Sequence, residues 1–356
     1  MIHYSCIGAT GCVCGEVLRM MVNHHEGELV NVLDTYGVGD AISTHHPALR
    51  GFYDQVIMDL TEENVRETAK KSDVIMIQVP SGDVAKWAEI VLAEDCAIID
   101  IGADIRFRDV DVWEKWYGQK HPDAKMTHDA VYCIPEVMRD LAKGKKLIAN
   151  PGCYPTASTL GLQPMLKAGH IVDNTIVIDA KSGYTGAGRR PALNKLLTEA
   201  ENNFCAYALG GGRHTPEIEQ NIAYITGKDL MKPETWQYIN FQPHLLPQVR
   251  GIEVTIYATC DRDFTNEEVY ELYKDFYKDE PFVKVFPSNL PVQTKWVYGT
   301  NFCEMTPTFD ARTHRLIVSS VIDNIGKGAA GQAIQNMNLI MGLPETTGLL
   351  MPPMYP

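Results

Sequence analysis

The first 150 residues alternate short apolar runs with amphipathic stretches. Runs at 2–7, 29–33, 74–79, 97–101 and 146–150 have the length and composition of buried strands, while 16–22, 62–71 and 84–92 between them space their apolar residues as helices do. This alternation predicts a doubly wound α/β fold with a parallel sheet. Beyond residue 153 the pattern changes. Runs at 175–181, 252–260, 282–286 and 315–322 are longer and several alternate apolar with polar positions, which predicts a mixed, largely antiparallel sheet with one wetter face. A last helical pattern at 329–343 carries Ala333, Ile334, Met337, Ile340 and Met341 and is expected to pack back on the first domain.

A glycine-rich segment links the first strand to the first helix. Gly8 permits a tight turn, Gly11 lets backbone amides approach an anion, and the loop Gly8, Ala9, Thr10, Gly11, Cys12, Val13 ends at a helix N-terminus, the positive end of its dipole. That context makes it a cradle for a dinucleotide pyrophosphate. The third glycine of the usual spacing is Cys14, with Gly15 beside it, so helix-on-strand packing is expected to differ slightly. Asp34 closes the second strand. A carboxylate there accepts from an adenosine ribose 2′-hydroxyl and repels a 2′-phosphate, which favours NAD; a solvated loop carboxylate is the other reading. The expected organisation is a Rossmann-type dinucleotide-binding domain at 1–152, completed by a C-terminal helix at 329–356, and an α+β catalytic and oligomerisation domain at 153–328.

Composition sets outer limits. At 356 residues the chain is long enough for two cores, and 45% hydrophobic with 22% charged residues describes an ordinary globular protein. A formal charge of −13 disfavours a nucleic-acid partner but leaves room for a small anionic substrate in a locally basic cleft. No apolar stretch reaches the length of a membrane span. A strand pattern that starts at residue 2, and nine cysteines without a CxxC pair, lead us to expect reduced thiols in a cytoplasmic protein.

Among those cysteines, Cys153 stands apart. It lies between the strand pattern 146–150 and a helical pattern at 156–168, where a helix N-terminus would favour a thiolate. A thiol nucleophile in a nicotinamide-binding protein points to thioester chemistry, either aldehyde oxidation or reduction of an activated acyl group. The acid/base expected to serve it is His214, just before a helix that begins near Pro216; His244 is the alternative. Metal-ligand spacings are absent, so no metal is expected. The amide of Tyr154 is a natural donor to an oxyanion.

Six segments carry a family resemblance: NPGCYPT (150–156), DAKSGYTGAGR (179–189), RHTPEIEQ (213–220), PHLLPQVRG (243–251), VYGTNFCE (297–304) and DNIGKGAAGQAIQNMN (323–338). Together they resemble the N-acetyl-gamma-glutamyl-phosphate reductases of the semialdehyde dehydrogenase superfamily. The resemblance implies a homodimer or homotetramer that uses NADPH to reduce N-acetylglutamyl 5-phosphate to the 5-semialdehyde in arginine biosynthesis. It implies attack by Cys153, acid/base work by His214, Asn324 near the nicotinamide carboxamide and Pro80 beside the cofactor. An acyl phosphate that also bears a carboxylate needs cationic subsites, for which Arg106, Lys181, Arg189, Arg213 and Arg250 are candidates, with Asn150 and Tyr154 beside the thiol. Where the reductases commonly have a serine and an arginine suited to a 2′-phosphate, this chain has Asp34 and Thr35. Ser81, Gly102 and Gly212 also replace a histidine, a serine and the first histidine of a common triplet. Related reductases of aspartyl phosphate or of carrier-linked aminoadipyl or glutamyl phosphate would use the same thiol and histidine. A nucleotide-binding regulator without turnover would use neither.

Overall fold

In the computed structural model, which describes residues 1–189 and 191–354, the apolar runs of the first 150 residues become parallel strands. They are β1 (Ile2–Ile7), β2 (Gly27–Asp34), β3 (Ile57–Asp59), β4 (Val74–Ile77), β5 (Ala97–Asp100), β6 (Val131–Tyr132) and β7 (Leu147–Ala149). The order is β3-β2-β1-β4-β5-β7-β6, and every neighbouring pair is parallel. All residues of β4 and β5 are buried, as in a sheet covered on both faces. β3 and β6, of three and two residues, are too short to leave a periodic signature in the sequence.

Helices Cys12–Met21, Glu62–Ala69 and Val84–Ala93 occupy the amphipathic stretches. The first starts four residues before its apolar pattern does, because extended Gly11 turns directly into it. Helix Gly331–Ile340 belongs to the same unit, which comprises residues 1–114, 118–151 and 329–350. Buried polar side chains tie it in: Gln335 donates to Glu136 and Glu345, Asn336 to the Cys133 carbonyl and Asn150, and Asn338 to the carbonyls of Glu345 and Thr347. The helix does not run on to 356 as expected. Leu343 N bonds back to the Asn338 carbonyl over Gly342, whose φ is +73°, and Pro344 follows, which is a Schellman-type stop. Residues 355–356 of that expected helix lie outside the described residues.

The second unit, residues 115–117, 152–328 and the described residues from Met351 on, has its own seven-stranded sheet. Its strands are β8 (Val177–Ser182), β9 (Cys205–Ala206), β10 (Asn240–Leu245), β11 (Ile252–Thr259), β12 (Val283–Val285), β13 (Cys303–Asp310) and β14 (Arg315–Ile322), ordered β12-β13-β14-β11-β8-β10-β9. Pairs β8–β10 and β12–β13 are parallel and the rest antiparallel. β8 and β11 alternate buried with half-buried positions, so one face is covered and the other is wetter. Helix Cys153–Lys167 covers the buried face; a Cβ on its Gly161 would lie 2.7 Å from Ile256 Cδ1. The Tyr273 and Tyr277 hydroxyls donate to the Gly161 and Leu160 carbonyls, which pins the helix further. Among the described residues no helix is long and apolar enough to cross a membrane.

Candidate active site

The glycine loop of the first unit is built for close backbone approach. Gly8 has φ +91°, and a Cβ there would lie 2.1 Å from the Gln78 carbonyl oxygen, so only glycine fits. A Cβ on Gly11 would meet the Gly8 carbonyl at 3.2 Å and fill the cradle. No side chain caps helix Cys12–Met21 and no acid stands in its first turn, which leaves its amides directed at an anion. The Val13 side chain is buried, so that residue offers its amide only. Gly15 takes over the packing role of the displaced third glycine: the His46 ring lies against it and bonds through Nε2 to the Ala9 carbonyl at 2.8 Å. These residues fit a dinucleotide pyrophosphate. Pro80 is exposed just beyond the carboxyl end of β4. Asp34 turns inward, its carboxylate bonded to Thr10, Thr35 and Tyr36.

Cys153 is half-buried and is the first residue of helix Cys153–Lys167, in a first turn free of acids. The thiol therefore sits on the helix terminus itself, where the dipole favours a thiolate. Two neighbours fix its backbone. The Gly152 amide donates to Glu217 Oε1 at 2.7 Å, and Glu217 is fully buried. Gly328 backs the thiol, since a Cβ there would lie 2.6 Å from Cys153 Cβ. Gly328 is held in turn by its amide on the Asp323 carbonyl at 2.9 Å. Asp323 is buried and ties down the whole turn, accepting from the amides of Ile325, Gly326 and Gly299 and pairing with Arg250 at 2.8 Å.

His214 precedes helix Thr215–Ile225, and its ring meets the edge of Tyr154 with centroids 5.5 Å apart. His214 and Tyr154, the residue that follows Cys153, are thus in contact. Burial pushes the Tyr154 phenol well above its usual range, so it stays a neutral donor, to the His244 carbonyl, and an acceptor from Tyr207. His244 itself pairs with Asp179 and stacks on Phe204.

Residues 5–145 match the family described as "Semialdehyde dehydrogenase, NAD binding domain", and residues 153–324 match "Semialdehyde dehydrogenase, dimerisation domain". Curated proteins named N-acetyl-gamma-glutamyl-phosphate reductase from Desulforudis audaxviator and Moorella thermoacetica are 44% and 41% identical, each alignment covering 100% of both chains. The chain belongs to the N-acetyl-gamma-glutamyl-phosphate reductase family. In fold it is similar to an aspartate semialdehyde dehydrogenase II from Vibrio cholerae, at a TM-score of 0.71 with 16% identity over 96% of this chain and 98% of that one. The Candida albicans aspartate semialdehyde dehydrogenase with NADP is similar at 0.67 with 13% identity, over 95% and 98%.

The candidate substrate contacts fall into two groups. Arg213 is exposed beside His214 with its guanidinium 4.5 Å from the Tyr117 ring, and Arg189 is exposed in the loop after β8. Lys181, by contrast, points to the wetter face of the second sheet, away from helix Cys153–Lys167, because strand residues alternate faces. There it pairs with Asp179 at 3.0 Å and Glu253 at 3.2 Å. Arg106 and Asn150 are buried in the first unit: Arg106 donates to the carbonyls of Asn150 and Ile101, and Asn150 bonds to the Ala329 carbonyl and to Asn336. Asn324 Oδ1 accepts from the Gly251 amide and its Nδ2 donates to Thr185, so the amide joins two loops of the second unit. Gly102 has a local reason: a Cβ would lie 2.8 Å from Asp100 Oδ1, which accepts from the Gly102 amide. Glu217, Gly328 and Asp323 give no sign of their roles in the sequence, because their work is done through backbone groups, although all three lie inside the quoted segments.

Proposed function

We propose that this chain reduces N-acetyl-L-glutamyl 5-phosphate to N-acetyl-L-glutamate 5-semialdehyde and phosphate, with a thioester on Cys153. The placement of the thiol at a helix terminus, with Tyr154 in contact with His214, carries the reading. The Cys153 thiolate attacks the acyl carbon, the C–O bond to phosphate breaks, and phosphate leaves with both bonding electrons. The Tyr154 amide, in the first turn of the helix, donates to the oxyanion of the tetrahedral species. The turn Gly8, Ala9, Thr10, Gly11 and the helix-terminal amides of Cys12 and Val13 would hold a nicotinamide dinucleotide, which would supply the hydride that reduces the thioester. His214 then gives a proton where charge builds and takes one when the thiohemiacetal collapses to aldehyde and thiolate. Arg213 and Arg189 meet the anionic ends of the substrate, and Pro80 and Asn324 are the residues that would serve the nicotinamide of a bound cofactor. The enzyme assembles as a homodimer or homotetramer and works in the cytoplasm.

Purified protein assayed with N-acetylglutamyl phosphate, aspartyl phosphate and a carrier-linked glutamyl phosphate tests this reading. Turnover with the first alone is expected. A preference for either of the others moves the assignment to a related reductase, and Cys153→Ala activity equal to wild type overturns the mechanism.

A further inference from the structure

Four hydrogen-bond donors converge on one carboxylate at the end of β2. Asp34 Oδ2 accepts from the Thr10 amide and the Thr10 hydroxyl, both at 2.8 Å, while Oδ1 accepts from the amides of Thr35 at 2.7 Å and Tyr36 at 3.3 Å. A carboxylate has about four lone-pair directions, so the chain's own groups saturate this one. The donors come from the glycine loop and from the turn after β2, the two segments that flank the adenosine ribose of a bound dinucleotide in a doubly wound fold. Converging amides plus a hydroxyl form a typical phosphate-binding set.

An acid at this position usually selects NAD by accepting from the 2′-hydroxyl. Asp34 has no acceptor direction left for that. A 2′-phosphate would either displace the carboxylate from donors that shape Thr10 or lie against it as a like charge, whereas a 2′-hydroxyl meets neither obstacle. Building on the dinucleotide site assigned above, we propose that Asp34 fills the 2′-phosphate donor set with its own carboxylate and makes the site selective for NAD(H) over NADP(H). Selection works by occupation and not by recognition of the hydroxyl, and it departs from the NADPH that the family resemblance implies.

Titration calorimetry on the whole chain, without acyl substrate, tests this with NADH, NADPH, 5′-ADP and 2′,5′-ADP. NADH should bind more tightly than NADPH on the order of 10²-fold, with the two ADP probes ordered the same way. Asp34→Ser vacates the donors and should raise NADPH affinity by about 10-fold or more. Because it also removes both bonds to Thr10, Asp34→Asn serves as a near-isosteric second variant, and thermal unfolding confirms that each variant is folded. Asn removes the charge and should narrow the preference by about 10-fold. Equal or tighter NADPH binding by the wild type overturns the proposal, as does an unchanged preference in both folded variants. If neither dinucleotide binds, the assignment of the dinucleotide site falls, and the proposal with it.

Discussion

Cys153, like Cys12, is the first residue of a helix, but the amide that precedes it, that of Gly152, is anchored by the buried Glu217. Replacing Cys153 with serine leaves the geometry but not an available nucleophile, so Cys153→Ser should lower kcat by about 10³-fold or more. His214→Asn keeps the shape against Tyr154 but removes proton transfer, and a loss of about 10²-fold to 10⁴-fold is expected in steady-state assays. If His214→Asn kept full activity across pH, the base would have to be sought elsewhere, with His244 the remaining candidate. Glu217 is a positioning residue. Glu217→Ala leaves the buried Gly152 amide unsatisfied and should destabilise the fold by about 1–3 kcal/mol, read from denaturant unfolding, whereas Glu217→Gln retains an acceptor and should restore most of it.

At the scale of elements, two glycines limit how closely backbones meet. Gly161→Ala drives a methyl into Ile256 and should cost about 1–3 kcal/mol, measured by the same unfolding experiment. Gly328→Ala is different in kind: its methyl would press on Cys153 Cβ, so kcat should fall more than stability does. Elements with a strong period are legible in the sequence. β1, β2, β4, β5 and the helices between them follow directly from apolar spacing, and the glycine loop from its place after β1. The short β3, β6 and β9 are set by tertiary pairing and are not legible, and neither are the longer β10 and β13, whose apolar runs are broken by Pro243 and Pro307. The start of helix Cys153–Lys167 is also hidden: Pro155 and Thr156 stand in its first turn and small residues follow, so the apolar spacing becomes visible only later, while the helix begins at the thiol itself. The same limit explains the candidate cations. Motif membership brings Lys181 forward and a place after the Asp100 strand brings Arg106, but burial and strand alternation, which decide where each side chain goes, are not local properties of sequence.

For the whole molecule, buried carboxyls make stability depend on pH. Burial, followed by the charge of Asp104, pushes Asp100 up to about 7, and burial pushes Glu219 up to about 7 as well. Between about pH 4 and 7 the folded state holds protons that the unfolded chain has released, so these groups favour folding at the acid end and their contribution is lost as pH rises. Asp100→Asn should flatten the fall in Tm over that window relative to wild type, by a few °C at most; parallel curves would contradict the assignment. The central claim concerns the thiol, and one measurement reaches it directly. Wild-type protein mixed with N-acetylglutamyl phosphate in the absence of any reduced nicotinamide should release phosphate and gain one N-acetylglutamyl group on the peptide that contains Cys153, seen by mass spectrometry. Turnover with reduced cofactor but an acyl group found on another residue, or no covalent adduct under any trapping condition, would contradict the account.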